Sequence, residues 1–300
     1  MSQWSVKYEG LISSVGITYP EENFIGLKSV HGLRLCTYRF HHSYPKALVF
    51  IFHGLHISSY DFSHVAKTLY ENHFTALAFD QEGHGKSEGV KGVASSLEDY
   101  SEDCEKFIMK TRELYPGGTP IFCLGLSMGG TLCVLTALRI PNIIKGIILL
   151  APSLGVNPDF EPFLQKMVIC LNACCCGKVK VKALDPALLS RNPWFAGYLS
   201  ENPEFYSGKI SVRTAALMIN GFNHLQPRLH SVNNSILLFH GEQDKVVSLQ
   251  QSKDFISNCE STDKEIIVYP DMYHAVTHEP EYPEILKKTI EWLNNRVPLT

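Results

Sequence analysis

The sequence predicts an α/β fold, a mostly parallel sheet flanked by helices and interrupted by one inserted segment. Three observations carry this. Short apolar runs rich in Val, Ile and Phe alternate with longer amphipathic stretches. Several of the short runs are apolar nearly throughout, as parallel strands covered on both faces are. One stretch, from about Pro152 to Val232, breaks the alternation.

In chain order, Phe24–Val30 and Leu33–Phe40 flank His31-Gly32 and read as an antiparallel hairpin at the start of the sheet. Ala47–Phe52, Phe74–Phe79, Ile121–Leu126, Ile143–Leu150, Ser235–His240 and Glu265–Tyr269 read as strands. Phe62–Asn72, Leu97–Tyr115, Met128–Ile140, Ser248–Asn258 and Pro283–Arg296 read as helices between or after them. Strand–helix alternation requires right-handed crossovers. The interruption begins after a strand and ends before one, so residues 153–232 are an insertion. Residues 1–152 and 233–300 are the two parts of one core. Within the insertion Phe160, Phe163, Leu164, Met167, Val168 and Leu171 recur as one helical face. A small helical subdomain would serve as packing. A lid over a site fits its position better, because α/β sites form where loops leave the carboxyl ends of parallel strands.

The composition bounds the function. With 45% hydrophobic and 19% charged residues over 300 positions, the chain can fill a core and is too apolar for disorder. A net charge of −3 excludes the basic balance of a nucleic-acid partner. No apolar run approaches the ~18 residues of a membrane span. MSQWSVKYEG lacks the apolar stretch of a signal peptide, and VPLT is neither a prenylation box nor a peroxisomal address. Nine cysteines, an odd number without an export signal, read as reduced thiols in the cytoplasm.

Gly125-Leu126-Ser127-Met128-Gly129 follows an apolar run and opens a helical stretch. This is G-x-S-x-G in its strand–turn–helix context, which exposes a serine hydroxyl above the sheet. A glycine-rich turn can be purely structural, but the context favours Ser127 as a nucleophile. A serine needs a base, and the base an orienting acid. Asp244, past the strand Ser235–His240, and His274, past the next strand, can reach the same end of the sheet as Ser127. Glu242 and Asp271 are rival acids and His278 a rival base. The backbone N–H groups of Met128 and Leu55 are the expected oxyanion donors. His53 reads as a brace for the loop that carries Leu55.

Other chemistries fit less well. Asp80-Gln81-Glu82-Gly83-His84-Gly85-Lys86-Ser87 lacks the phosphate-loop spacing and reads as structural support. No metal site is expected: His274 and His278 lack the glutamate of H-E-x-x-H, and Cys174-Cys175-Cys176 are adjacent. No cofactor is expected either.

Taken together, Phe52-His53-Gly54, Gly83-His84-Gly85-Lys86-Ser87-Glu88-Gly89, Gly125–Gly130, Leu189-Ser190-Arg191-Asn192, Tyr206-Ser207-Gly208-Lys209, Gln243-Asp244 and Tyr273-His274 resemble the α/β-hydrolase superfamily. Within it they resemble the monoacylglycerol lipase group, and the resemblance runs from about Phe24 to Arg296. It implies an eight-stranded sheet, a triad of Ser127, Asp244 and His274, and an apolar cap admitting a single acyl chain. The implied activity is hydrolysis of monoacylglycerol esters through an acyl-enzyme. His56, Phe160, Leu164, Met167, Tyr206 and His278 are candidate substrate contacts. The sequence departs from the group's H-G-x-G-E/D loop: His56 stands in place of the second Gly and Ile57 in place of the acid.

The insertion carries eight basic residues against five acidic, leaving −6 on the remainder. A basic, apolar, amphipathic element suits an enzyme that takes lipid from an anionic surface, so peripheral membrane contact through the cap is expected. Cys174–Cys176 beside it are candidate palmitoylation sites, or simply small apolar residues. Alternatives are a lysophospholipase or another carboxylesterase, including a caffeoylshikimate-type esterase, on the same fold. A peptidase acting on N-terminal residues would need an acidic anchor for the substrate amine. An inactive binding module would be expected to lack a triad member.

Overall fold

The computed structural model describes residues 19–157, 162–173, 179–183, 185–201, 205 and 209–297. Its centre is an eight-stranded sheet. The chain enters through β1 (Glu21–Glu22), then β2 (Leu27–Lys28) and β3 (Arg34–Leu35), and returns as β4 (Thr37–Phe40). The body of the sheet is β5 (Leu48–Phe52), β6 (Thr75–Phe79), β7 (Ile121–Leu126) and β8 (Gly146–Leu150). After the insertion, which contributes β9 (Lys180–Ala183) and β10 (Lys209–Ser211), come β11 (Ser235–Gly241) and β12 (Lys264–Tyr269). The spatial order is β1-β4-β6-β5-β7-β8-β11-β12. Within this sheet β6, β5, β7, β8, β11 and β12 pair in parallel, and β1 and β4 join antiparallel.

Side chains alternate across each strand, and the two sets build two cores. Every residue of β5 to β8 except the flanking positions' neighbours in loops is buried, so neither face meets water. Val49 and Ile51 of β5 join the core under α1 (Ser63–Glu71) and α8 (Tyr282–Asn294), with Val65, Leu69, Ile285 and Leu293. Leu48, Phe50 and Phe52 face α2 (Leu97–Arg112), α3 (Met128–Arg139) and α7 (Leu249–Asn258), with Tyr100, Phe107, Leu132 and Phe255. The insertion supplies α4 (Pro162–Leu171), α5 (Pro193–Glu201) and α6 (Val212–Leu225).

The six expected core strands and five expected helices are present, with shifted ends. The α2 pattern runs on to Tyr115, but the helix stops at Arg112. There the backbone tightens into Leu114 N–H to Thr111 O and Tyr115 N–H to Arg112 O turns before Pro116-Gly117-Gly118. β8 starts at Gly146, not Ile143, because Ile143 N–H closes a turn on Ile140 O. The N-terminal hairpin is divided. Leu27 and Lys28 pair with Leu35 and Arg34 as a separate ribbon, turned at Gly32 (φ +81°). Cys36 then bonds to the Ser87 hydroxyl and to Asp80 N–H, and β4 departs into the main sheet. β9 and β10, an antiparallel pair in the insertion, have no counterpart in the sequence reading.

Candidate active site

Ser127 is the turn between β7 and α3, at φ 55° and ψ −117°. A non-glycine residue held there stores about 1–3 kcal/mol of strain, which its surroundings must impose. The flanking glycines make the turn possible. A Cβ on Gly125 would strike the Gly129 carbonyl, and one on Gly129 the Phe52 carbonyl. Ser127 N–H donates to Leu150 O (2.9 Å), and Ser153 N–H donates to Ser127 O (3.1 Å), tying the turn to the end of β8.

Asp244 lies in the turn after β11 and His274 in the loop after β12. The carboxylate Oδ2 is 2.7 Å from His274 Nδ1. Oδ1 accepts Val246 N–H (2.7 Å) and Val247 N–H (3.0 Å). The Asp244 side chain is fully buried and that of His274 is 3% exposed. Burial alone would raise the Asp244 pKa. The facing His274 and His240 outweigh it and hold the carboxyl well below its ordinary range. Glu242 and Asp271, the rival acids, are exposed to solvent.

Ser127 and His274 open on one cavity of about 170 Å³. Leu55 and Met128 line it, together with Ile57, Leu126, Val246 and Val247 from the core and Leu189, Phe195, Ile210, Met218 and Phe222 from the insertion. Met128 is the first residue of α3, so its N–H is one of the donors a helix start leaves without an intrahelical partner. Among the described lining residues, only Ser127, Ser153 and His274 have polar side chains.

The other candidates are placed differently. His56 is 1% exposed, does not line the cavity, and packs 6.5 Å from the His84 ring. Burial pulls its pKa down to about 3. His278 is also outside the lining. Its Nε2 donates to Asp61 O (2.8 Å) and its ring stacks on Phe195 at 4.0 Å, so it braces two elements from beneath. Met167 lies on α4, exposed and away from the cavity. Leu164 is on the same helix, but its side chain lies outside the described residues, as do Phe160, Tyr206 and Cys174–Cys176.

His53 holds the loop of Leu55: Nδ1–H donates to Gly54 O (2.7 Å), and Nε2 accepts Gln81 N–H (2.9 Å). Asp80 anchors the glycine-rich loop, accepting Ser59 N–H, Lys86 N–H and the Tyr38 hydroxyl within 2.8 Å. Phe195, Met218 and Phe222 were not singled out in the sequence. Met218 and Phe222 fall one helical turn apart on α6, which is the only signal they leave.

A family model described as serine aminopeptidase S33 matches residues 43–281. The chain belongs to the serine aminopeptidase S33 family. Human monoglyceride lipase is 26% identical over 250 residues, 83% of this chain and 82% of that protein. Caffeoylshikimate esterase of Arabidopsis thaliana is 26% identical over 263 residues, 84% of this chain and 79% of that protein. The crystal structure of Paleococcus ferrophilus monoacylglycerol lipase superposes with a TM-score of 0.76 at 25% identity. It covers 87% of this chain and 99% of that one. This S33-family chain has the α/β-hydrolase fold, with the mostly parallel eight-stranded sheet and flanking helices that fold prescribes.

Proposed function

We propose that the protein is a serine carboxylic-ester hydrolase that cleaves monoacylglycerols to fatty acid and glycerol. The observation that carries this is the buried Asp244–His274 pair, 2.7 Å apart, opening on the same apolar cavity as the strained Ser127. In this reading His274 takes the Ser127 proton through Nε2 while its Nδ1–H stays on Asp244. Ser127 attacks the acyl carbonyl, and the Leu55 and Met128 N–H groups receive the developing oxyanion. His274 returns the proton to the leaving alcohol. It then activates water to free the fatty acid. No step calls for a cofactor.

The apolar walls support an acyl chain as the group held. The human and archaeal relatives whose names specify monoacylglycerols support the substrate class. An aminopeptidase would need a carboxylate for the substrate amine, and none is among the described lining residues. The insertion acts as the cap. Its helix α4 presents Met167, Cys170 and Leu171 beside Lys166, all exposed, which supports peripheral contact with an anionic membrane surface. No helix among the described residues is long and apolar enough to cross a membrane.

Ser127→Ala is expected to abolish both monoacylglycerol hydrolysis and labelling by a fluorophosphonate probe. Retained labelling overturns the nucleophile. A panel of monoacylglycerols, a lysophospholipid and a caffeoyl ester tests the substrate. Preference for the caffeoyl ester would replace the lipid reading with that of the plant relative.

A further inference from the structure

Asp244 faces a second imidazole. His240 is the penultimate residue of β11, and its Nε2 lies 3.4 Å from Oδ2, the oxygen that His274 also contacts. Both side chains are fully buried, shut off from bulk solvent. On its other side the ring meets a hydroxyl: His240 Nδ1 is 3.0 Å from Ser252 Oγ on α7. Among the described residues Nε2 makes no hydrogen bond, and the carboxylate at 3.4 Å is the charged group it faces. The backbone here is equally constrained. His240 pairs in register with Val268 of β12, and a Cβ on the following Gly241 would strike the carbonyls of Met272 and Tyr273. His240 therefore stands at the joint between the turn of Asp244 and the loop of His274.

We propose that His240, oriented by Ser252, is a positioning residue for Asp244. This rests on the triad reading above. With the Ser252 O–H donating to Nδ1, the ring proton sits on Nε2, the nitrogen that faces Oδ2. Two backbone N–H groups fix Oδ1, and the two imidazoles converge on Oδ2, so the carboxylate has one orientation. That orientation keeps His274 with Nε2 free for the serine proton. A buried histidine that merely filled space would have no reason to aim its nitrogen at the carboxylate. It would also need no hydroxyl behind it.

The test is steady-state kinetics on a monoacylglycerol, with thermal unfolding of each variant as the control for folding. His240→Leu should lower kcat by about 10-fold or more, the effect of losing a polar N–H that faces a charged group, while KM stays within about twofold. His240→Gln, whose amide N–H can point the same way, should recover most of kcat. Ser252→Ala should give a smaller kcat loss alone and none when added to His240→Gln, because the two act through one ring. A folded His240→Leu enzyme with unchanged kcat overturns the proposal, as does a loss that falls on KM. If His240→Leu does not fold, Ser252→Ala decides: a kcat loss at constant KM supports the proposal and an unchanged kcat overturns it. Failure of the triad reading is separately visible, as hydrolysis surviving in Ser127→Ala.

Discussion

Ser127 occupies a backbone conformation that L-residues avoid, and Asp244 stays ionised where burial opposes it. Both are costs at single residues, and both lie where the chemistry is proposed. Asp103 carries a cost of the same kind elsewhere. Its side chain on α2 is 1% exposed and accepts Val30 N–H at 2.8 Å, and Lys106 Nζ lies 3.9 Å away. Burial pushes its pKa up to about 7, against about 3.9 in an unfolded chain. Between those values the folded state binds more protons than the unfolded state, so stability falls as pH rises through this window. Asp103→Asn should therefore raise Tm at pH 8 and give no gain at pH 4. An equal shift at both would show that the charge is not the cause.

What the sequence disclosed at this scale follows from how locally each signal is written. Ser127 has five contiguous residues that make sense only as a turn. Asp244 and His274 each follow a recognisable strand; the structure pairs these two at 2.7 Å and places His274 and Ser127 on one cavity. His56 and His278 read as substrate contacts because they are polar residues near those turns. Whether a ring faces the cavity depends on packing with distant residues: His84 for one, Phe195 and Asp61 for the other. The aim of His240 at Asp244 was invisible for the same reason, although His240-Gly241 stood in the sequence at the end of its strand.

Among the elements, the loop that carries His274 and the stretch Leu189–Asn192 of the insertion form one clasp. Ala275 N–H donates to Leu189 O (2.6 Å) and the Ser190 hydroxyl to His278 O (3.0 Å). Arg191 meets Glu279, whose side chain is fully buried, at 2.6 Å. Removing the guanidinium would leave that carboxylate uncompensated, a loss of about 3–5 kcal/mol. Arg191→Ala should thus lower Tm sharply and reduce kcat as the His274 loop loosens. Glu279→Gln, which leaves no buried charge, should be milder in both. Thermal melts and kinetics on the pair check this, and equal losses would speak against a buried-charge effect. Strands were easier to read than their connections. β7 matches its apolar run residue for residue, because burial on both faces leaves no other pattern. The β2–β3 ribbon parts from β4 because Cys36 is held by Ser87 and Asp80, residues far along the chain from it.

At the scale of the molecule, charge and apolar exposure are unevenly shared. α4 packs Val168 against Val212, Ala216 and Ile219 of α6, yet leaves Met167 42% and Leu171 37% exposed. The helical periodicity put Met167, Val168 and Leu171 on one face; the structure packs Val168 against α6 and leaves the other two turned outward. Replacing Met167 and Leu171 by serine should weaken co-sedimentation with anionic liposomes. Hydrolysis of a short, soluble ester should be unchanged. Undiminished binding would count against contact through this face.

β8 and β11 pair directly, Ser235 beside Gly146 and Phe239 beside Leu150, although the whole insertion separates them in the chain. The sheet is thus closed without the insertion taking any place in it. The entropy of closing such a loop grows only logarithmically, by about 0.6 kcal/mol for each doubling of its length. On the proposed division, residues 153–232 are a module whose length, outside the Leu189–Asn192 clasp, can change over evolutionary time at little entropic cost, while the strand ends beneath stay fixed. Selection can retune which molecules are admitted without rebuilding the machinery that acts on them.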